Sequence, residues 1–226
     1  MKVLFSGCLL DGDDKQPGGT RLERNIKYIK YYMAIREEIG FDMIWLMDNQ
    51  SSKENVQKLL QAVGDGGNKL QIFTTPKKLI SKVGGLDYPY CWAPLFEMCE
   101  MMKKVGTIEK AIAIDSDCFV VSKTLAKHIR YTNSGWSTLW CPKYNFPESA
   151  FQIICEDAKP LLNGFFNFGW ERHNGKMMET TLPFTQVNKG FNANRFGEWR
   201  QQQDVSMDYY GQARVDQTLI YNMRGE

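Results

Sequence analysis

Two carboxylates close an apolar run in the middle of the chain: Lys110-Ala111-Ile112-Ala113-Ile114-Asp115-Ser116-Asp117-Cys118-Phe119-Val120-Val121. A two-residue spacing puts Asp115 and Asp117 on one side of an extended backbone, so at a strand end both can converge on one cation. Their oxygens are hard donors that suit Mg²⁺ or Mn²⁺. Such ions bind through one or two carboxylates together with substrate phosphates, rather than inside an all-protein cage. The pair therefore implies a nucleoside diphosphate nearby. The alternative is that Asp115 pairs with a lysine and Asp117 caps the following helix, but two acids ending a buried strand are costly without partners.

The elements that must position this pair can be traced backwards. The β-branched run before Asp115 has the pattern of a strand buried on both faces at the centre of a mostly parallel sheet. Sheets of that kind bind ligands at the carboxyl ends of their strands. Residues 3–10 form a candidate first strand, left by the turn-rich Asp11-Gly12-Asp13-Asp14-Lys15-Gln16-Pro17-Gly18-Gly19. Thr20 and Glu23 form a capping box for a helix to about residue 39. Leu22, Ile26, Ile29 and Met33 make one apolar stripe on it, and Tyr28, Tyr32, Ile35 and Ile39 another, so its tyrosines read as packing rather than as ligand contacts. After Gly40, residues 42–47 form a second strand running into Asp48-Asn49-Gln50-Ser51-Ser52. Asn49 and Ser52 suit equally a nucleoside contact, or a turn with a cap for the helix 53–63. A third strand covers 70–74, and 76–87 is a loop with a short helical turn. A helix then carries Trp92, Leu95, Phe96, Cys99 and Met102 on one face. Strand and helix alternate throughout, which implies right-handed crossovers and a parallel sheet.

Beyond residue 123 the pattern weakens. A helix passes through Thr124, Leu125 and Ile129, residues 137–141 suit a strand, and a last helix over 215–222 opens on Asp216 and Gln217. Between them aromatics and amides accumulate, a composition that fits either sugar faces and hydroxyls or an irregular core. The expected division is a nucleotide-binding half, 1–123, and an acceptor and donor-sugar half, 124–226, within one domain. His128 and His173 read as surface or loop residues.

The whole-chain properties exclude several classes. The 226 residues carry a formal net charge of +2 with no long block of one sign, so nucleic acid is not an expected partner. No apolar stretch is long enough to span a bilayer, and the opening apolar run is too short for a signal sequence. The six cysteines are scattered without a C-x-x-C pair, which points to buried free thiols in a reducing, cytoplasmic compartment.

The pieces also fall in a telling order: a Rossmann-like first half, Asp48-Asn49-Gln50-Ser51-Ser52 after the second strand, Ile114-Asp115-Ser116-Asp117 after the fourth, Gly190-Phe191-Asn192-Ala193, and Asp216-Gln217 before an apolar helix. Across roughly the whole chain this resembles nucleotide-sugar glycosyltransferases of the GT-A fold. The resemblance implies an α/β architecture with a mostly parallel central sheet, flanking helices and an irregular acceptor-side lobe. It implies transfer of a sugar from a nucleoside diphosphate donor, UDP by family habit, to a glycan or other hydroxyl acceptor, with Mn²⁺ or Mg²⁺ as cofactor. Asp115 would face the ribose or the metal, and Asp117 would bind the metal. Ser6, Gly7 and Asp48 would lie on the nucleotide side, Asn192 beside the donor sugar, and Asp216 with Gln217 near the anomeric carbon.

Three departures accompany it. Asn194 stands where the family's Phe-Asn-x-Gly element has glycine, and no histidine follows Gln217. An acidic base for an inverting reaction can come from Glu148, Glu156, Asp157, Asp204, Asp208 or Asp216, of which Asp216 is preferred because it opens a helix. The rivals are a sugar-nucleotide nucleotidyltransferase, a phosphatase with Asp11 as nucleophile, and a non-catalytic nucleotide-sugar-binding domain.

Overall fold

A computed structural model describes residues 1–12, 19–64, 69–76, 78–79, 89–194 and 207–210. In chain order its strands are β1 (Lys2–Cys8), β2 (Met43–Asp48), β3 (Leu70–Thr74), β4 (Lys110–Ile114), β5 (Phe119–Val120), β6 (Trp136–Cys141), β7 (Phe146–Pro147), β8 (Phe151–Cys155), β9 (Gln186–Asn188), β10 (Ala193–Asn194) and β11 (Tyr209–Tyr210). The helices are α1 (Arg21–Ala34), α2 (Arg36–Ile39), α3 (Lys53–Val63), α4 (Pro89–Val105), α5 (Lys123–Tyr131), α6 (Lys159–Phe165) and α7 (Met178–Thr181).

The main sheet has the order β3-β2-β1-β4-β8-β6-β7, with β9 paired to β6. Its first four strands are parallel, with Phe5 opposite Trp45 on one side and Ala113 on the other. The chain steps outward from β1 through β2 to β3 and then returns to the other flank of β1 as β4. That reversal makes the gap between β1 and β4 the topological switch point, where open α/β sheets leave a crevice at their strand ends. Beyond β4 the sheet changes sense, since β8 runs antiparallel with Ile114 opposite Phe151 and Lys110 opposite Cys155. β8 has no counterpart among the elements expected from the sequence. Its five residues, Phe-Gln-Ile-Ile-Cys, are too few to establish a period, and only pairing with β4 makes them a strand.

Side chains alternate across the sheet as the pleat requires. Leu4, Ile44, Ile112, Ile114 and Ile153 face one core, shared with Tyr28, Tyr32, Leu59 and Leu125 from α1, α3 and α5. Val3, Phe5, Trp45, Ala111 and Ala113 face the other, against Trp92, Leu95 and Met98 of α4 and Leu162 of α6. Covering both faces is what allows the parallel strands to be apolar throughout.

Local chemistry explains several boundaries. The Thr20–Glu23 capping box starts α1, with Thr20 Oγ1 accepting from the Glu23 N–H at 3.3 Å and Glu23 Oε2 accepting from the Thr20 N–H at 2.7 Å. The expected single helix to residue 39 is interrupted at Ile35, which has φ −99° and ψ 14° and buries its side chain. α2 then ends at Gly40 in the left-handed conformation, φ 77°. Lys110 is buried and donates from Nζ to the carbonyls of Ile129 at 2.8 Å and Arg130 at 3.0 Å, capping the end of α5.

Both histidines depart from the surface-or-loop expectation. His128 lies half-buried on α5 with its ring 5.1 Å from that of Phe191. His173 is buried, stacked on Phe165 at 4.1 Å and on Trp92 at 5.1 Å. All six cysteines are free thiols, five of them buried. No helix among the described residues is long and apolar enough to cross a membrane.

Candidate functional site

β4 is buried along its whole length, and Asp115 is the first residue to emerge from it. The Asp115 N–H donates to the Ala150 carbonyl at 3.0 Å, and the Asp115 carbonyl accepts from the Cys118 N–H at 2.9 Å, closing a tight turn. That turn lifts Asp115 to an exposed position and Asp117 to a half-exposed one at the carboxyl end of the strand. Directly below, burial pushes the Cys118 thiol well above its ordinary pKa, with the charges of Asp117 and Asp115 adding to the effect. The thiol stays protonated and adds no negative charge of its own beneath the pair.

From the turn the chain leaves the main sheet and enters a small one, ordered β10-β11-β5. In this small sheet Asn192 immediately precedes β10, whose Ala193 pairs with Tyr209, itself opposite Val120, so Asn192 lies level with the Val121 end of β5, the end away from Asp117. Asp208, preceding β11, donates its N–H to the Asn192 carbonyl at 3.0 Å and accepts the Asn192 N–H on Oδ2 at 2.8 Å. Its Oδ1 accepts the Ser122 hydroxyl, and its carbonyl accepts the Val121 N–H at 2.8 Å. Asn192 itself is exposed. Of the expected site residues, Asp115 and Asp117 therefore share the turn before β5, while Asn192 stands two strands away at the far end of β5.

The residues expected on the nucleotide side are held more firmly than their types suggest. Ser6 is buried and donates its hydroxyl to the Gly7 carbonyl at 3.2 Å. At Gly7 a Cβ would sit 3.2 Å from Pro94 Cγ, so glycine is what lets α4 approach β1. Asp48 is 1% exposed, and its oxygens accept from the Ser51 N–H at 2.9 Å, the Ser51 hydroxyl and the Cys8 thiol. Asn49 pins Leu79 through both its N–H, at 2.7 Å, and its carbonyl, at 2.8 Å. Ser52 caps α3, accepting from the Asn55 N–H at 3.3 Å. These side chains build the turn after β2.

Asp11 belongs to the same network. It accepts from the Ser52 N–H at 2.9 Å, the Ser52 hydroxyl at 3.0 Å and Asn55 Nδ2 at 2.9 Å. Desolvation pushes its pKa upward, yet these hydrogen bonds outweigh it and hold the carboxyl below the usual range. A carboxylate so engaged is a poor nucleophile, which counts against a phosphatase built on Asp11.

The candidate bases sort by position. Because Lys110 pairs with Cys155, the residues just after β8, Glu156 and Asp157, lie at the amino end of β4, the opposite edge from Asp115. Glu148 is fully buried and accepts the Ala150 N–H at 3.0 Å. Asp208 is engaged as described. Asp204, Asp216 and Gln217 lie outside the described residues. Among the described residues no three His, Cys, Asp or Glu side chains converge on one point. A Mg²⁺ or Mn²⁺ ion that keeps waters and substrate phosphates in its shell needs only one or two protein carboxylates, so the pair Asp115 and Asp117 fits such an ion by donor type.

Residue spacing missed one feature. Tyr28, Tyr31 and Tyr32, read as packing, also turn their hydroxyls onto the backbone around Asp115 and Asp117. The available signal was the choice of tyrosine over phenylalanine on a helix face that is otherwise apolar.

No protein-family model matches the chain, and no curated protein matches it in sequence. Its backbone does match solved structures. One is a glycosyltransferase involved in the glycosylation of the major capsid of PBCV-1, at TM-score 0.52 and 10% identity, covering 100% of this chain and 99% of that one. A second is the bifunctional glycosyltransferase WbbM, at TM-score 0.54 and 9% identity, where 99% of this chain spans 49% of the other. A third is an active-site mutant of LgtC, at TM-score 0.51 and 9% identity, covering 93% and 86%. At such identities the likeness is one of fold: the chain is a mixed α/β domain, with a mostly parallel central sheet and flanking helices, of the kind these glycosyltransferases share.

Proposed function

We propose that this chain is a metal-dependent glycosyltransferase that moves a sugar from a nucleoside diphosphate donor, UDP by family habit, to a hydroxyl of a glycan or other acceptor. The observation that carries the reading is the position of Asp115 and Asp117. They are an exposed and a half-exposed carboxylate at the carboxyl end of β4, beside the switch point, on a fold shared with solved glycosyltransferases.

Asp115 and Asp117 would hold the Mn²⁺ or Mg²⁺. When bound, the ion supplies positive charge that neutralises the diphosphate leaving group as the glycosidic bond breaks. Ser6, Gly7 and Asp48 shape the nucleotide side of the crevice through backbone, since the side chains of Ser6 and Asp48 are buried. Asn192, tied to the exit of β5, is assigned to the donor sugar. Asp216 is assigned the proton of the acceptor hydroxyl in an inverting reaction, and Gln217 a place beside the anomeric carbon.

The test is thermal unfolding of the protein with UDP, GDP, CMP and dTDP sugars, with and without Mn²⁺ or Mg²⁺. A ligand at a hundred times its Kd stabilises the native state by about 2.7 kcal/mol. One nucleotide class should raise Tm only with metal, and Asp115→Ala or Asp117→Ala should abolish that rise while leaving the unliganded Tm nearly unchanged. Silence of the parent across the panel overturns the reading. Binding without transfer to any acceptor, and without donor hydrolysis, assigns a binding domain instead.

A further inference from the structure

We infer that Tyr28 and Tyr32 are positioning residues for the acid pair: from beneath, their hydroxyls hold the backbone turn that presents Asp115 and Asp117 to one ligand. Tyr28 Oη donates to the Ile114 carbonyl at 2.9 Å. Tyr32 Oη donates to the Cys118 carbonyl at 3.0 Å and accepts the Val120 N–H at 3.2 Å. Tyr31, between them, donates to the Val120 carbonyl at 2.5 Å. The anchored carbonyls lie immediately before Asp115 and immediately after Asp117, so the two acids sit between two fixed points.

The device follows from helix geometry. Positions 28, 31 and 32 share one face of α1, and all three tyrosines are 0% exposed. Their rings pack on one another and around Phe119, with Tyr28 and Tyr32 centred 4.7 Å apart and Tyr31 5.2 Å from Phe119. Phenylalanine would fill the same volume. A buried phenol needs a partner, and here every hydroxyl has found one on the same short segment.

That segment needs outside support, because residues 115–118 belong to neither sheet. The two carboxylates above it repel each other, and a turn free to relax would let them part. A site that stabilises developing charge works best when its groups need not reorganise, and donors aimed at the turn from a rigid helix supply that rigidity.

This inference rests on the proposed role of Asp115 and Asp117, and its test separates the two. Tyr28→Phe and Tyr32→Phe each remove one hydroxyl and keep the ring, while Ile29→Val, equally buried on the same helix, provides a loss of packing without touching the turn. Hydrogen exchange at the amides of Asp115 and Cys118 should quicken in both tyrosine variants and not in Ile29→Val. Affinity for UDP or GDP with Mn²⁺ should fall about tenfold in the tyrosine variants, the worth of one well-placed hydrogen bond, with kcat falling as well. If the parent binds and the tyrosine variants bind no worse than Ile29→Val, the positioning role is overturned and the transferase reading stands. If the parent binds no metal–nucleotide, the transferase reading falls. The exchange rates then decide alone: unchanged protection overturns the inference, and faster exchange upholds the clamp on the turn.

Discussion

Asp208 accepts hydrogen bonds from the Ser122 hydroxyl and the Asn192 N–H, so one carboxylate joins the start of α5 to the segment assigned to the donor sugar. Removing it leaves two donors without that acceptor at a partly buried junction. Asp208→Ala should therefore cost about 1–3 kcal/mol of stability, read as a lower urea midpoint at unchanged slope. The same variant should weaken donor binding if Asn192 works where it is assigned. By residue type alone Asp208 is a candidate base. Its partner Ser122 is 86 residues away, and nothing local distinguishes a carboxylate that links strands from one that takes a proton.

Elements are bound to one another here by a few polar side chains that cross between them. Lys110, at the start of β4, reaches the last carbonyls of α5. Its cation suits the negative end of the helix, although desolvation lowers its pKa. Lys110→Met keeps the bulk and removes the donors. The end of α5 should fray, seen as faster amide exchange around residues 129–132, with a loss of about 1–3 kcal/mol. At this scale the sequence was legible wherever the signal was local. The Thr20 capping box, the boundaries of α3 and β3, and Gly40 as a helix stop follow from residues within a turn of one another. The interruption at Ile35 and the existence of β8 do not, since one turns on packing into the core and the other on pairing with β4.

At the scale of the whole molecule, two cores sandwich the sheet, and the second contains a titratable group. Burial lowers the pKa of His173, with Arg172 and Lys176 adding to the effect, although the Phe165 carbonyl pulls the other way. A histidine whose folded pKa lies below its unfolded value favours the fold in its neutral form. That contribution is fully present above about pH 6.5 and is lost as the pH falls toward the folded pKa. Tm should therefore drop between pH 7.5 and pH 5, and His173→Phe, which preserves a flat ring between Trp92 and Phe165, should flatten that slope. An unchanged slope would mean that the acid sensitivity comes from elsewhere.

What the sequence determined by itself was the succession of strands and helices in the first half, the emergence of Asp115 and Asp117 at the end of a buried strand, and hence the fold class. Those properties are written in periods of two and 3.6 residues and in caps a few residues long. Only the tertiary structure decided that β4 returns beside β1 to make the switch point, that β8 closes its other flank, that Ser6 is buried within β1, and that Asp11 and Asp48 brace the turn after β2 with their side chains. It also decided that three tyrosines of α1 grip a turn 86 to 89 residues further on. Contacts at such separation leave no local period or cap to read, because they exist only once the chain has closed on itself.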